Sequence, residues 1–343
     1  MSPVRVAVLG GGSCFAQNLC YWLTGGATDV LSISRSPLRP APFTYGLNWK
    51  PFSKGYPLNS YPKGPPFYEQ AHLVTELPRI MALLDDFEPH CIVNFAALCE
   101  VGLSWDHALD YYETNLMSLV RLTNELAKRS WFKERSKFVH IGSSEVYGSV
   151  TEPAVETSRI NPTSPYATSK AVLDFHLRAI ATHRDFPAVI VMPSNGYCEG
   201  QTINRIIPKA IICAIKGTKL ALQGGGVARK SYLHADDISS AIITVMEKGV
   251  LGETYNCGPL WSTEIRYVVD LVAKMYGKRL EDIADIAPER TGQDSQYLLN
   301  SNKIKTLGWK PTIDLKTGLQ RMKAWVESHP ELLDMDTTYT HRS

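Results

Sequence analysis

Alternating apolar and polar positions give the first element of the chain. Val4-Arg5-Val6-Ala7-Val8-Leu9 is period two and rich in valine, and it runs directly into Gly10-Gly11-Gly12-Ser13. Phe15, Leu19 and Leu23 then recur at helical spacing, so the pattern predicts strand, glycine turn, helix. Val30 to Ser34 predicts a second strand. Between Pro37 and Tyr68, eight prolines break every period, which predicts a long irregular connection of functional or family-specific use. Order resumes with Thr75 as a predicted N-cap, Pro78 in the first turn, and Ile80, Leu83, Leu84 and Phe87 on one face. Cys91 to Phe95 predicts a buried strand, followed by a helix with Leu109, Tyr112, Leu116 and Leu119 in phase. Phe138 to Ile141 and Val189 to Met192 predict further strands, with a helix over 165–183 between them. Strands alternating with helices predict an α/β protein with a parallel, doubly wound sheet. Past residue 193 the alternation loses its regularity. The expected division is 1–192, carrying the sheet, and 193–343, a smaller mixed region from which about 229–258 returns to the first.

Composition narrows the class. The 343 residues are 44% hydrophobic and 20% charged, the balance of a globular protein with a sizeable core. Lys and Arg number 36 against 34 Asp and Glu, so no field favours nucleic acid or an anionic membrane, and neither is an expected partner. The seven cysteines are scattered, with no CxxC, and no histidine pair has HExxH spacing; neither a disulfide framework nor a metal site is expected. No apolar run reaches the roughly 20 residues of a membrane span. The chain enters its first strand at once, which leaves no room for a signal peptide, and the expected location is cytoplasmic.

A glycine turn between the first strand and helix lets backbone N–H groups approach a pyrophosphate at the helix N-terminus. Here Gly10 is followed by Ser13 and Ala16 where two further glycines are usual, and both are small. The second strand ends in Ser34-Arg35-Ser36 rather than in a carboxylate for the ribose 2′-hydroxyl. An arginine between two hydroxyls can bind a 2′-phosphate, which favours NADP over NAD. Further along, Tyr166 and Lys170 stand at i and i+4, on one helical face. A nearby ammonium would lower the phenol's pKa and make Tyr166 a usable base. Ser143, ending a strand 23 residues upstream, can hydrogen-bond the same substrate oxygen.

With these residues the chain resembles the extended short-chain dehydrogenase/reductases, specifically the nucleotide-sugar epimerases and dehydratases. The carriers include Asn94-Phe-Ala-Ala97, Asn115, Ile141-Gly-Ser-Ser-Glu-Val-Tyr-Gly148, Ser164 to Lys170, Pro193 to Tyr197, Arg290 to Asp294 and Leu307 to Pro311. The resemblance implies a Rossmann-like fold and a bound NAD(P) that takes a hydride from sugar C4. It implies a cofactor bed of Gly10, Gly12, Ser13, Cys14, Phe15, Ser34, Arg35, Ser36, Leu73, Phe95, Ala96, Ala97, Asn115, Tyr166, Lys170 and Pro193. Tyr166 would be the base on the C4 hydroxyl, with Lys170 on the nicotinamide ribose and Ser143 orienting the substrate. Asn195, Arg205, Ile206, Arg229 and Arg290 would hold a nucleotide-diphosphate sugar, with Leu98, Glu100 and Ser104 beside it. The resemblance also implies a homodimer through a four-helix bundle built from helices near 107–127 and 165–183.

Ser143-Ser144-Glu145 resembles the nucleotide-hexose 4,6-dehydratases, in which Glu removes the C5 proton once C4 is a ketone. An Asp protonates the leaving C6 hydroxyl in many of them; here Ser144 stands at that position. Epimerisation at C3, C4 or C5, and decarboxylation of a nucleotide-uronate, stay open as alternatives, the last wanting a further cation. A catalytically silent NADP-binding scaffold is the alternative of another class. The base-pocket positions Ala221 and Gln223, and Leu98, Cys99 and Glu100, depart from the family pattern, and His72 replaces the acid expected near the adenine.

Overall fold

The computed structural model describes residues 4–26, 28–53 and 66–338. Seven parallel strands form one sheet: β1 (Val4–Leu9), β2 (Thr28–Ser34), β3 (Phe67–Gln70), β4 (Cys91–Asn94), β5 (Lys137–Ile141), β6 (Ala188–Pro193) and the later strand Thr254–Cys257. In space they run Thr254–Cys257, β6, β5, β4, β1, β2, β3. The order reverses at β1, which places a crevice beyond the carboxyl ends of β1 and β4.

Both faces of the sheet are buried, which is why its strands are nearly continuous apolar runs. In β1, Ala7 and Leu9 face one core and Val6 and Val8 the other. The first core is closed by the helices Leu77–Phe87, Ser118–Leu126 and Pro165–Arg184. The helices Cys14–Thr24 and Ala235–Lys248 close the second. A third core lies within the C-terminal region, between helices Ile206–Lys216, Ile265–Met275 and Leu315–Glu327. Asp237 ties that region to the sheet: its carboxylate accepts from the Thr312 N–H and hydroxyl and from the Ile313 N–H, at 2.7–3.0 Å. Among the described residues no helix is long and apolar enough to cross a membrane.

Three expectations are corrected. Helix Leu77–Phe87 begins after Glu76, not Thr75, and Glu76 supplies no side-chain cap. Leu109 is 81% exposed rather than in phase with buried Leu119. Between them the helix Ala108–Tyr112 passes through a π-helical turn, Glu113–Met117, into Ser118–Leu126, and the extra residue per turn shifts the apolar face. The irregular stretch expected over 37–68, part of which lies outside the described residues, stops short of Phe67 and Tyr68, which belong to β3. Phe43 enters the C-terminal core, and Pro42 O accepts from Trp325 Nε1 at 3.2 Å.

Candidate active site

The glycine turn sits at the reversal point. Gly10 has φ +77°, and a Cβ there would lie 2.5 Å from Ala96 N, so β1 and the chain after β4 approach as only glycine allows. Ser13 caps the helix Cys14–Thr24, accepting from Ala16 N–H at 3.2 Å. Cys14 packs on buried Cys198 and Ala235. Phe15 presses on Gly196, where a Cβ would be 2.6 Å from its ring, so the turn is fixed to the C-terminal region. At the end of β2, Ser34 hydrogen-bonds Tyr68, whose hydroxyl donates to Ser36 O at 2.9 Å. Arg35 Nη1 is buried with no partner, and an orphaned guanidinium nitrogen suits an added phosphate. Leu73 is buried beside His72, whose pKa is lowered by burial and by Arg35. Phe95, Ala96, Ala97 and Pro193 are half-buried along the carboxyl ends of β4 and β6. Asn115 is wholly committed elsewhere: its amide accepts from Leu98 N–H at 2.7 Å and donates to Leu98 O and Ser169 Oγ, both at 3.0 Å.

The second half of the site follows β5. Ser143 accepts from Glu145 N–H at 3.3 Å and opens a single turn, Ser144–Tyr147, that turns Glu145 inward. Gly148 closes it with φ +66°; a Cβ there would sit 2.4 Å from Asn161 O. Burial raises the Glu145 pKa, opposed mainly by Lys230 and Arg290. Tyr166, at the start of helix Pro165–Arg184, is buried against Leu98, Val101 and Tyr111. Its phenol is pushed up by burial, then by Glu145 and Cys99, against a hydrogen bond from Ser143 and the charge of Arg205. The expected lowering of this phenol by Lys170 is therefore corrected. In this geometry Lys170 Nζ donates to Ile141 O at 2.7 Å and stands 3.1 Å from His140 Nε2.

The expected substrate residues divide. Arg205 pairs with Glu100 at 2.9 Å and reaches Cys99 Sγ at 3.2 Å, while Asn204 donates to Glu100 at 3.1 Å. Asn195 Oδ1 and Arg290 Nε are buried without partners, as groups awaiting a polar ligand are. Ser104 is turned away, donating to Val101 O at 2.7 Å, and Ile206 packs into the third core. Arg229 also points outward, donating to Ser262 O at 2.7 Å. Its neighbour is the residue that sequence reasoning missed. Lys230 is 6% exposed, its ammonium has no hydrogen-bond partner and lies 3.4 Å over the Tyr297 ring, and it is the strongest charge acting on Glu145. Alternation along Arg229–Lys230 was the available signal: two successive strand residues face opposite ways, and only one can face the crevice.

A profile of the GDP-mannose 4,6-dehydratase family matches residues 70–322. The dTDP-D-glucose 4,6-dehydratase of Mus musculus is 30% identical over 240 residues, covering 68% of this chain and 66% of that one. The dTDP-glucose 4,6-dehydratase of Haemophilus influenzae is 28% identical over 343 residues, covering 94% and 97%. Among solved structures, dTDP-glucose 4,6-dehydratase from Bacillus anthracis in complex with NAD matches at TM-score 0.82 and 25% identity, covering 96% of this chain and 98% of that one. The match spans 36% of a longer trifunctional relative from Arabidopsis thaliana, so about a third of that protein's length, and about two thirds of the mouse relative's.

Proposed function

The chain belongs to the GDP-mannose 4,6-dehydratase family, and on that premise we propose that it is a nucleotide-sugar 4,6-dehydratase. The carrying observation is Glu145: a half-buried carboxyl, raised by burial, beside Ser143 and Tyr166 in the crevice. A carboxyl raised toward neutrality is an effective proton acceptor there.

The nicotinamide group, when bound, supplies reversible hydride acceptance, which makes C4 a ketone and acidifies C5. Tyr166, whose own proton must leave first, takes the C4 hydroxyl proton, with Ser143 hydrogen-bonded to the same oxygen. Glu145 takes the C5 proton as the C6 hydroxyl leaves, protonated, as water. The sugar then takes the hydride back at C6 and a solvent proton at C5, so one water is lost with no net oxidation. Lys230 and Arg290, each with a buried unpartnered nitrogen, hold the diphosphate. Gly10, Gly12 and Ser13 line the pyrophosphate turn, and Arg35 with Ser34 takes a 2′-phosphate, so the cofactor inferred is NADP. We also infer a homodimer, supported by Leu109, Met117, Val172 and Phe175, which stand exposed on adjoining helices.

Lys230 also favours a second reading. A cation near Glu145 with no hydrogen-bond partner is what a C6 carboxylate requires, so nucleotide-uronate decarboxylation is the alternative. Mass spectrometry of GDP-, UDP-, CDP- and dTDP-sugars incubated with the protein in deuterated water separates the two. Loss of water with one deuterium retained supports the dehydratase. Loss of carbon dioxide from a uronate selects the decarboxylase, and exchange at unchanged composition selects an epimerase. Nucleotide released from the denatured protein identifies the cofactor as NADP or NAD.

A further inference from the structure

Helix Pro165–Arg184 carries Tyr166, Lys170, Asp174 and Arg178 at four-residue intervals, so all four lie along one stripe. His140 meets that stripe from the carboxyl end of β5, in register with Asn94 on β4. Its Nε2 is 3.1 Å from Lys170 Nζ and 3.6 Å from Asp174 Oδ1, so the imidazole stands between ammonium and carboxylate. Lys170, His140 and Asp174 are 3%, 0% and 1% exposed. Neither Asp174 oxygen accepts a hydrogen bond, and Arg178 Nε donates none.

The hydrogen bonds fix where protons can sit. Asn94 Oδ1 accepts from Ala96 N–H at 3.2 Å, so its Nδ2 donates to His140 Nδ1 at 2.9 Å. A neutral imidazole that accepts at Nδ1 carries its proton on Nε2. That N–H faces Lys170, and an ammonium cannot accept it. Two donors therefore meet at 3.1 Å unless Asp174 draws the imidazole hydrogen to itself or Lys170 gives up a proton. A carboxylate buried without a donor is costly, which makes Asp174 a ready acceptor.

We propose that His140 and Asp174 are positioning residues that, by opposing effects on the Lys170 ammonium, set the pH at which its proton is lost. The proposal rests on the reading of Lys170 as the partner of Tyr166 and the cofactor ribose. The groups facing the cluster are Tyr166, Asp174 and Arg178 from its own helix, His140 from β5, Tyr147 from the turn after β5 and Cys99 from the loop after β4. Burial brings Lys170 down to about 8, against the raising effects of Asp174 and Cys99. Asp174 is pushed up to about 7 by burial, against Lys170 and Arg178. His140 is held well below its ordinary value by burial and then by Lys170, so it stays neutral.

The test is carbon NMR of protein labelled at the lysine ε-carbons, with the Lys170 signal assigned by its loss in Lys170→Met. Lys170 is expected to titrate near pH 8, apart from the surface lysines. A Lys170 midpoint in the ordinary lysine range overturns the proposal, and that measurement needs no Asp174 variant to fold. In Asp174→Asn the anion that supports the ammonium is gone, so the midpoint moves about one pH unit toward acid; an unmoved midpoint overturns the proposal. With a nucleotide sugar that turns over, the alkaline limb of kcat moves the same way at unchanged KM, and Asp174→Glu restores it. If no nucleotide sugar turns over, the functional reading fails, while the lysine titration still decides this one.

Discussion

Glu145 and Lys230 are opposite charges that govern each other across the crevice, and their variants read out different steps. Glu145→Gln keeps the shape but removes the proton acceptor. Dehydration is expected to fall by about 10²–10⁴-fold, with solvent deuterium no longer entering the product, while cofactor binding is retained; full activity in this variant would remove Glu145 from the chemistry. Lys230 is lowered to about 8 by burial, with Glu145 opposing. It is a cation below that pH and neutral above it, so KM for the nucleotide sugar should rise as pH passes 8, with kcat following Lys170 instead. Lys230→Arg keeps its charge across the range and should abolish the rise, as steady-state kinetics between pH 7 and 9.5 would show. At this scale the sequence was legible for residues whose place follows from a motif. Ser143, Glu145 and Tyr166 do lie together. It was not legible where direction mattered, since Arg229 and Lys230 are adjacent in sequence and opposite in space.

The elements that position these groups were read from period and punctuation, and the largest departure has a local cause. A π-helical turn resets the phase between Leu109 and Leu119. It also brings Asn115 inward to fasten Leu98, so the amide serves the backbone. The turn after β5 depends on one glycine. Gly148→Ala would force a Cβ into Asn161 O at a left-handed backbone position. We expect a loss of roughly 1–3 kcal/mol in stability, seen as a lowered Tm, and a loss of turnover larger than the unfolded fraction explains, because Glu145 sits in the same turn. Unchanged melting and kinetics would show that the turn relaxes without cost.

For the molecule as a whole, the exposed apolar residues on helices Ala108–Tyr112 and Pro165–Arg184 bear on assembly. Phe175 is 51% exposed and Leu109 81%. Phe175→Glu is expected to halve the mass measured by light scattering while leaving the far-ultraviolet dichroism intact; a wild-type mass of one chain would remove the dimer instead. By itself the sequence determined the alternation of strand and helix, the glycine turn and the spacing of Tyr166 and Lys170, because each depends on periods and contacts within a few residues. Tertiary structure alone decided that Lys230 faces Glu145, that Arg205 is held by Glu100, and that His140 stands between Lys170 and Asp174. Those pairings join residues from different strands and helices. Burial in a medium that cannot solvate an unpaired charge is what makes their protonation depend on one another.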